Sequence, residues 1–99
     1  MKVFIMHKFK TYKSTGETFA WADAFRTRKA AEDAIRTEIA MDIDGDMDGS
    51  EENTPEERDE IIKKAVEDAF AAGERDGFHN AILNYGDFTA YYDITVTNI

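Results

Sequence analysis

The sequence contains no cysteine. Disulfides, thiolate metal sites and a cysteine nucleophile are therefore excluded, and the composition suits a reducing compartment. Histidine and serine are nearly as scarce, with only His7, His79, Ser14 and Ser50 in the chain. No nucleophile elbow, phosphate-binding loop or dinucleotide fingerprint occurs. His7 alternates with Ile5 and Phe9 in the pattern of a strand, and His79 lies among apolar residues, so packing accounts for both. The expectation is a protein that is not an enzyme. Long apolar runs are also missing. The opening stretch MKVFIM is too short for a signal-peptide core, and nothing approaches the length of a membrane-spanning helix. A cytoplasmic protein is expected.

Against these absences stand 99 residues that are 42% hydrophobic and 12% aromatic, enough to fill one compact interior. Residues 1–99 are read as a single α+β domain. The net charge is −9, and its distribution is uneven. Residues 42–60 hold ten acids against Arg58 alone, so this one stretch carries a charge equal to that of the whole chain. A localised acidic block is a candidate surface for cations or basic partners.

Alternation predicts a strand over residues 2–10, with Val3, Ile5, His7 and Phe9 on one face and Phe4 and Met6 on the other. Being apolar on both faces, it is the expected centre of the sheet, and its lysines mark its ends. A turn through Gly16 leads to a second strand over residues 17–25. Thr27 caps a predicted helix from Arg28 to about Met41, with Ala31, Ala34, Ile35 and Ile39 as its apolar stripe and Ile43 as a further member. An acidic loop is expected over residues 42–54. A second helix then starts with Thr54 as cap, Pro55 in its first position and Glu57 as capping-box partner. Asp59–Lys63 and Glu60–Lys64 pairs are expected on its outer face, and Gly73 is expected to end it. Residues 78–85 are read as a short helix, with a strand as the alternative. Phe88, Ala90, Tyr92, Ile94 and Val96 mark a last strand. The predicted fold is a three-stranded antiparallel sheet in the order strand-strand-helix-helix-strand, with the helices packed on one face.

The acidic block supports two readings. Asp44, Asp46 and Asp48 alternate as in the first half of a calcium loop, with Glu52 available as a further ligand. The second half departs from that pattern, since Pro55 stands where a bidentate glutamate belongs. The leading reading is an interaction surface in which Asp42, Asp44, Asp46, Asp48, Glu51, Glu52, Glu56 and Glu57 imitate a phosphate backbone and bind a basic protein. The partner would be a nucleic-acid-handling or defence complex, with calcium binding as the alternative function and otherwise no cofactor. Direct nucleic-acid binding through Lys2, Lys8, Lys10 and Lys13 beside Phe9 and Tyr12 is opposed by the overall negative sign. These lysines are read instead as protection of a strand end. The sheet face away from the helices is expected to carry Thr89, Tyr91, Asp93, Thr95 and Thr97 of the last strand together with Phe4 and Met6. A homodimer through that face is a secondary expectation.

The pattern MKVFIM, then FRTRKAAEDAIRTEIA, an acidic spacer, a second helix and the terminal YYDITVTNI resembles small acidic α+β proteins of phage and prophage genomes. That broad class includes anti-CRISPR-like inhibitors. The resemblance spans the whole chain as a pattern and assigns a role to no individual residue. It implies an inhibitor that acts by binding, as a DNA mimic does.

Overall fold

The computed structural model describes residues 1–46, 54–76 and 81–99. These form β1 (Lys2–Tyr12), β2 (Thr18–Phe25), α1 (Arg28–Asp46), α2 (Pro55–Asp76), β3 (Ala81–Tyr85) and β4 (Phe88–Asn98). All strand pairings are antiparallel, in the order β2-β1-β4-β3. The chain is thus α+β, and β1 lies inside the sheet as its two-sided apolar pattern requires. The sheet has four strands rather than three.

The additional strand is β3. Residues 81–85 pair with β4 instead of forming a short helix, while 78–80 lie outside the described residues. The turn explains the choice. Tyr85 pairs with Phe88, leaving only Gly86 and Asp87 between the strands, and Gly86 takes φ 53° while Asp87 keeps a negative φ. A two-residue loop with glycine first is a favoured hairpin connection, because its twist matches the strands. The β1–β2 hairpin closes with bonds from Tyr12 N to Glu17 O and from Gly16 N to Tyr12 O. Asp87 ties the two turns together, accepting from Lys13 N at its carbonyl and from Ser14 N at its carboxylate.

Strand alternation and register assign the two sheet faces. Met6, Leu83, Phe88, Ala90, Tyr92 and Ile94 point to the helices and are buried. Phe4 shares their face and packs against the same core. Phe4 and Met6 therefore lie beneath the helices, not on the open face expected for them. The buried side chains of the sheet come from β1, β3 and β4. Edge strand β2 is left with Phe19 and Trp21 largely exposed.

Thr27 caps α1 by accepting from Ala30 N, and Ala31, Ile35, Ile39 and Ile43 form its fully buried stripe. The helix continues five residues beyond the predicted end at Met41, so residues 42–46 of the expected acidic loop are helical. Ile43 extends the stripe at its four-residue spacing, and Asp42 is bonded to the sheet. Together these outweigh the poor helix propensity of Gly45. A Cβ built on Gly45 meets nothing within 4 Å. Gly45→Ala is accordingly expected to raise stability by about 0.5–1 kcal/mol, read from the urea midpoint. No gain would mean that this turn is not helical in solution.

In α2, Thr54 caps the helix by accepting from Glu57 N. The stripe of Ile62, Val66 and Ala69 runs on to a buried Gly73, and the helix continues through it to Asp76. Gly73 is part of the packed face and does not terminate the helix. On the outer face Lys64 pairs forward with Asp68 at 2.7 Å rather than back with Glu60.

Candidate functional site

The described part of the acidic block divides between two environments, because alternate positions of a helix lie on opposite sides of it. Asp42 turns inward. Its carboxylate accepts from Lys8 Nζ at 2.6 Å, Lys10 Nζ at 2.9 Å and the Tyr92 hydroxyl at 2.8 Å. Glu38, one turn earlier, lies 3.3 Å from the same Lys8 amine. Lys8 is only 1% exposed and also sits 4.2 Å from the centre of the Trp21 ring. These five side chains and Lys10 fasten the C-terminal half of α1 to the sheet.

This cluster corrects the reading of Lys8 and Lys10 as strand-end protection. Both occupy helix-side positions of β1, two and four residues beyond Met6. The alternation that places Phe4 and Met6 on one face places these lysines there as well, and that was the signal for their burial. Burial opposes ionisation of Asp42, but its bonds to Lys8, Lys10 and Tyr92 win and hold its carboxyl below the usual range. Burial likewise works against the Lys10 ammonium, yet the bonds to Asp42 and Tyr12 leave its pKa raised. The Tyr92 phenol is pushed well above its ordinary value by burial, then by the negative charges of Asp42 and Glu38. The arrangement is a set of compensated charges that lock a helix in place. Asp42 is therefore withdrawn from the surface on which it was expected to meet a partner.

Asp44 turns outward and pairs with Arg58 of α2, joining the end of one helix to the start of the next. Glu56 and Glu57 are exposed in the first turn of α2, and Asp59 and Glu60 are exposed in the turn that follows. Four carboxylates in five residues, with Arg58 engaged by Asp44, leave this end of the molecule strongly negative. Asp46 lies in α1, while Asp48, Glu51 and Glu52 lie outside the described residues. The calcium pattern thus begins in helical backbone at Asp44 and Asp46 rather than in open loop. No group of three or more His, Asp and Glu able to hold a metal ion occurs among the described residues.

His7 lies on the open sheet face, its Nε2 3.0 Å from Thr95 Oγ1, and His79 is outside the described residues. A cavity of about 290 Å³ beside the buried cluster is lined by Lys10, Tyr12, Met41, Asp42, Gly45 and Phe88. A larger one of about 450 Å³ lies between α2 and β3, with Ile61, Ala65, Ala69 and Leu83 among its walls. Among the described residues no helix is long and apolar enough to cross a membrane. No protein family, curated protein or solved structure matches the chain.

Proposed function

We propose that this chain is a binding protein, not a catalyst, that presents the acidic edge formed by Asp44, Glu56, Glu57, Asp59 and Glu60 to a basic protein surface. One observation carries the reading. The acids at the start of α2 remain exposed, while Lys8 and Lys10 are drawn into the core and consumed by Glu38 and Asp42. Positive charge from the first part of the chain is thereby kept from neutralising the acidic edge. Positions three and four apart on a helix lie about 5–6 Å from one another, so Glu56, Asp59 and Glu60 form a compact anionic patch. A groove built to hold nucleic-acid phosphates has the complementary sign and would be blocked by such a patch. The resemblance to phage-type inhibitors agrees with this mode of action, and a cytoplasmic defence or nucleic-acid-handling complex is the proposed target. Glu56 and Glu57 also favour the N-terminus of α2 electrostatically, which makes their position compatible with stability as well as binding.

The test is the charge-reversed variant Glu56→Lys/Asp59→Lys/Glu60→Lys, compared with the unaltered chain by affinity capture from host cells. A basic nucleic-acid-handling protein is expected with the native sequence. Its capture should fall at least about tenfold between 50 and 200 mM salt and be lost in the variant, whose thermal unfolding stays cooperative. Equal recovery of the same proteins by both chains would reject the acidic edge as the binding surface.

A further inference from the structure

The sheet face turned away from the helices is almost free of charge. Odd positions 3–11 of β1 and 89–97 of β4, with even positions 18–24 of β2 and 82–84 of β3, place sixteen described side chains there. They include one carboxylate, Asp93, one imidazole, His7, and no lysine or arginine, although 33% of the chain is charged. None of the sixteen is fully buried. Phe9 is 49% exposed and stands directly opposite Tyr91, itself 36% exposed, on the neighbouring strand. Val3, Ile5 and Ile82 add further apolar surface.

We infer that this face is the interface of a homodimer in which two sheets pack face to face about a two-fold axis running along the strands between β1 and β4. The register selects that axis. His7 is the pairing partner of Asp93, and Phe9 is that of Tyr91, across the β1–β4 boundary. A two-fold rotation about this boundary lays β1 of one copy over β4 of the other at the same level. His7 then faces the second copy's Asp93, and Phe9 faces its Tyr91, each contact occurring twice. Among the described residues, the one charged group on the face thereby meets the one imidazole. Such self-complementarity is what an isologous contact requires.

The extent of the face is sufficient. Four strands about 4.8 Å apart and about eight residues long span roughly 500 Å² in projection. Two copies would bury at least about 1,000 Å² in total, the level at which specific interfaces begin. Aligned sheets of this kind pack about 10 Å apart, room for side chains from both faces. The net charge does not oppose the contact, because the acidic helices lie on the far side of each sheet. Two sheets and the interface then separate the acidic edges by more than the Debye length of about 8 Å. A nucleic acid is a poor occupant, since a stacking surface for it needs several flanking cations, whereas none of the sixteen side chains is cationic and the Lys13 amine that reaches the rim is held by Asn84 Oδ1 at 2.6 Å.

The dimer and the acidic edge use different residues, so either can fail without the other. Sedimentation equilibrium over about 1–500 μM tests the dimer. The native chain is expected to sediment at twice the monomer mass. Phe9→Lys, at an exposed position, should weaken the dimer at least about 100-fold with unchanged far-UV circular dichroism. His7→Asp should weaken it too, by setting carboxylates against one another across the axis. The exchange His7→Asp/Asp93→Lys should restore it. A native chain that stays monomeric throughout this range overturns the inference. So does a dimer that survives Phe9→Lys but is lost on Trp21→Lys, which would move the contact to the exposed helix side of β2. Binding of a single-stranded oligonucleotide that is lost on Phe9→Lys would also overturn it, by naming a different occupant.

Discussion

Replacing Asp42 by alanine is expected to destabilise the fold by about 3–5 kcal/mol, the usual cost of leaving one member of a buried ion pair without its partner. Lys8 is 1% exposed and loses its shortest ionic contact, while Lys10 loses its Asp42 partner and Tyr92 loses the acceptor for its hydroxyl. Glu38 still lies 3.3 Å from Lys8 and is 26% exposed in its side chain, so it compensates part of the amine's charge and favours the lower end of that range. Against a total stability of about 5–15 kcal/mol for a domain of ordinary size, the variant stands close to unfolding. Urea denaturation at neutral pH measures the change. The companion Lys8→Met/Asp42→Leu should be less destabilised than Asp42→Ala alone, because it removes the stranded charge along with its counter-ion. A loss below about 1 kcal/mol in Asp42→Ala would show that the cluster is wetter than its burial indicates.

The same carboxylate sets the direction of the acid response. Its folded-state pKa is lowered, so its contribution is fully present above the unfolded carboxylate value of about 4. That contribution is lost as pH falls through the lower folded-state value. The native chain should therefore lose stability progressively below about pH 4, and Asp42→Ala should show a shallower loss over the same interval. Tyr92 acts at the other extreme. Its raised pKa means that its contribution is present below about pH 10 and disappears only at more alkaline pH.

The second large effect is expected at Phe88. Truncation to alanine should cost about 3–5 kcal/mol, the range for large aromatic side chains removed from a core. Phe88 is 2% exposed, and its ring centre lies 6.5 Å from that of Tyr12 and 6.4 Å from that of Tyr85. The Lys10 amine also rests 4.4 Å from its centre, so the mutation removes packing and a cation–π contact together. Its place next to the Gly86-Asp87 turn makes it the first helix-side residue of β4, where strand pairing and core packing begin together. Phe88→Leu keeps most of the volume and should lose less than half as much. Equal losses for the two variants would assign the effect to the ring contacts rather than to the cavity.

Several features were legible along the chain because they depend only on neighbours in sequence. Thr27 and Thr54 announced their helices through hydroxyls that accept from backbone three residues on. The Ala31–Ile35–Ile39–Ile43 spacing marked the face that became buried. The third hairpin strand also had a local signal, a glycine and an aspartate between two alternating segments, but the helical spacing of Phe78, Ala81, Ile82 and Tyr85 competed with it. Residues 81–85 were decided by the edge of β4, which offers a row of unpaired backbone groups that a five-residue strand can satisfy.

The candidate site divides in the same way. Asp42 and Asp44 look alike in sequence, as members of one run of alternating acids. They separate because helical backbone continues through both and turns one toward Lys8 and Lys10 and the other toward Arg58. Loop backbone would have left them equivalent. A dimer contact was expected on the open side of the sheet, but which residues make up that side depended on which side of β1 the helices cover, and a strand apolar on both faces cannot decide that alone.

By itself, the sequence determined that this is an α+β chain with an inner first strand, two capped helices and an acidic middle. Those properties follow from composition, periodicity and capping, all local. Only the tertiary structure decided which acids are surface and which are core. A carboxylate is free to be either until distant lysines and a phenol, here more than thirty residues away in the chain, are brought within hydrogen-bonding distance of it.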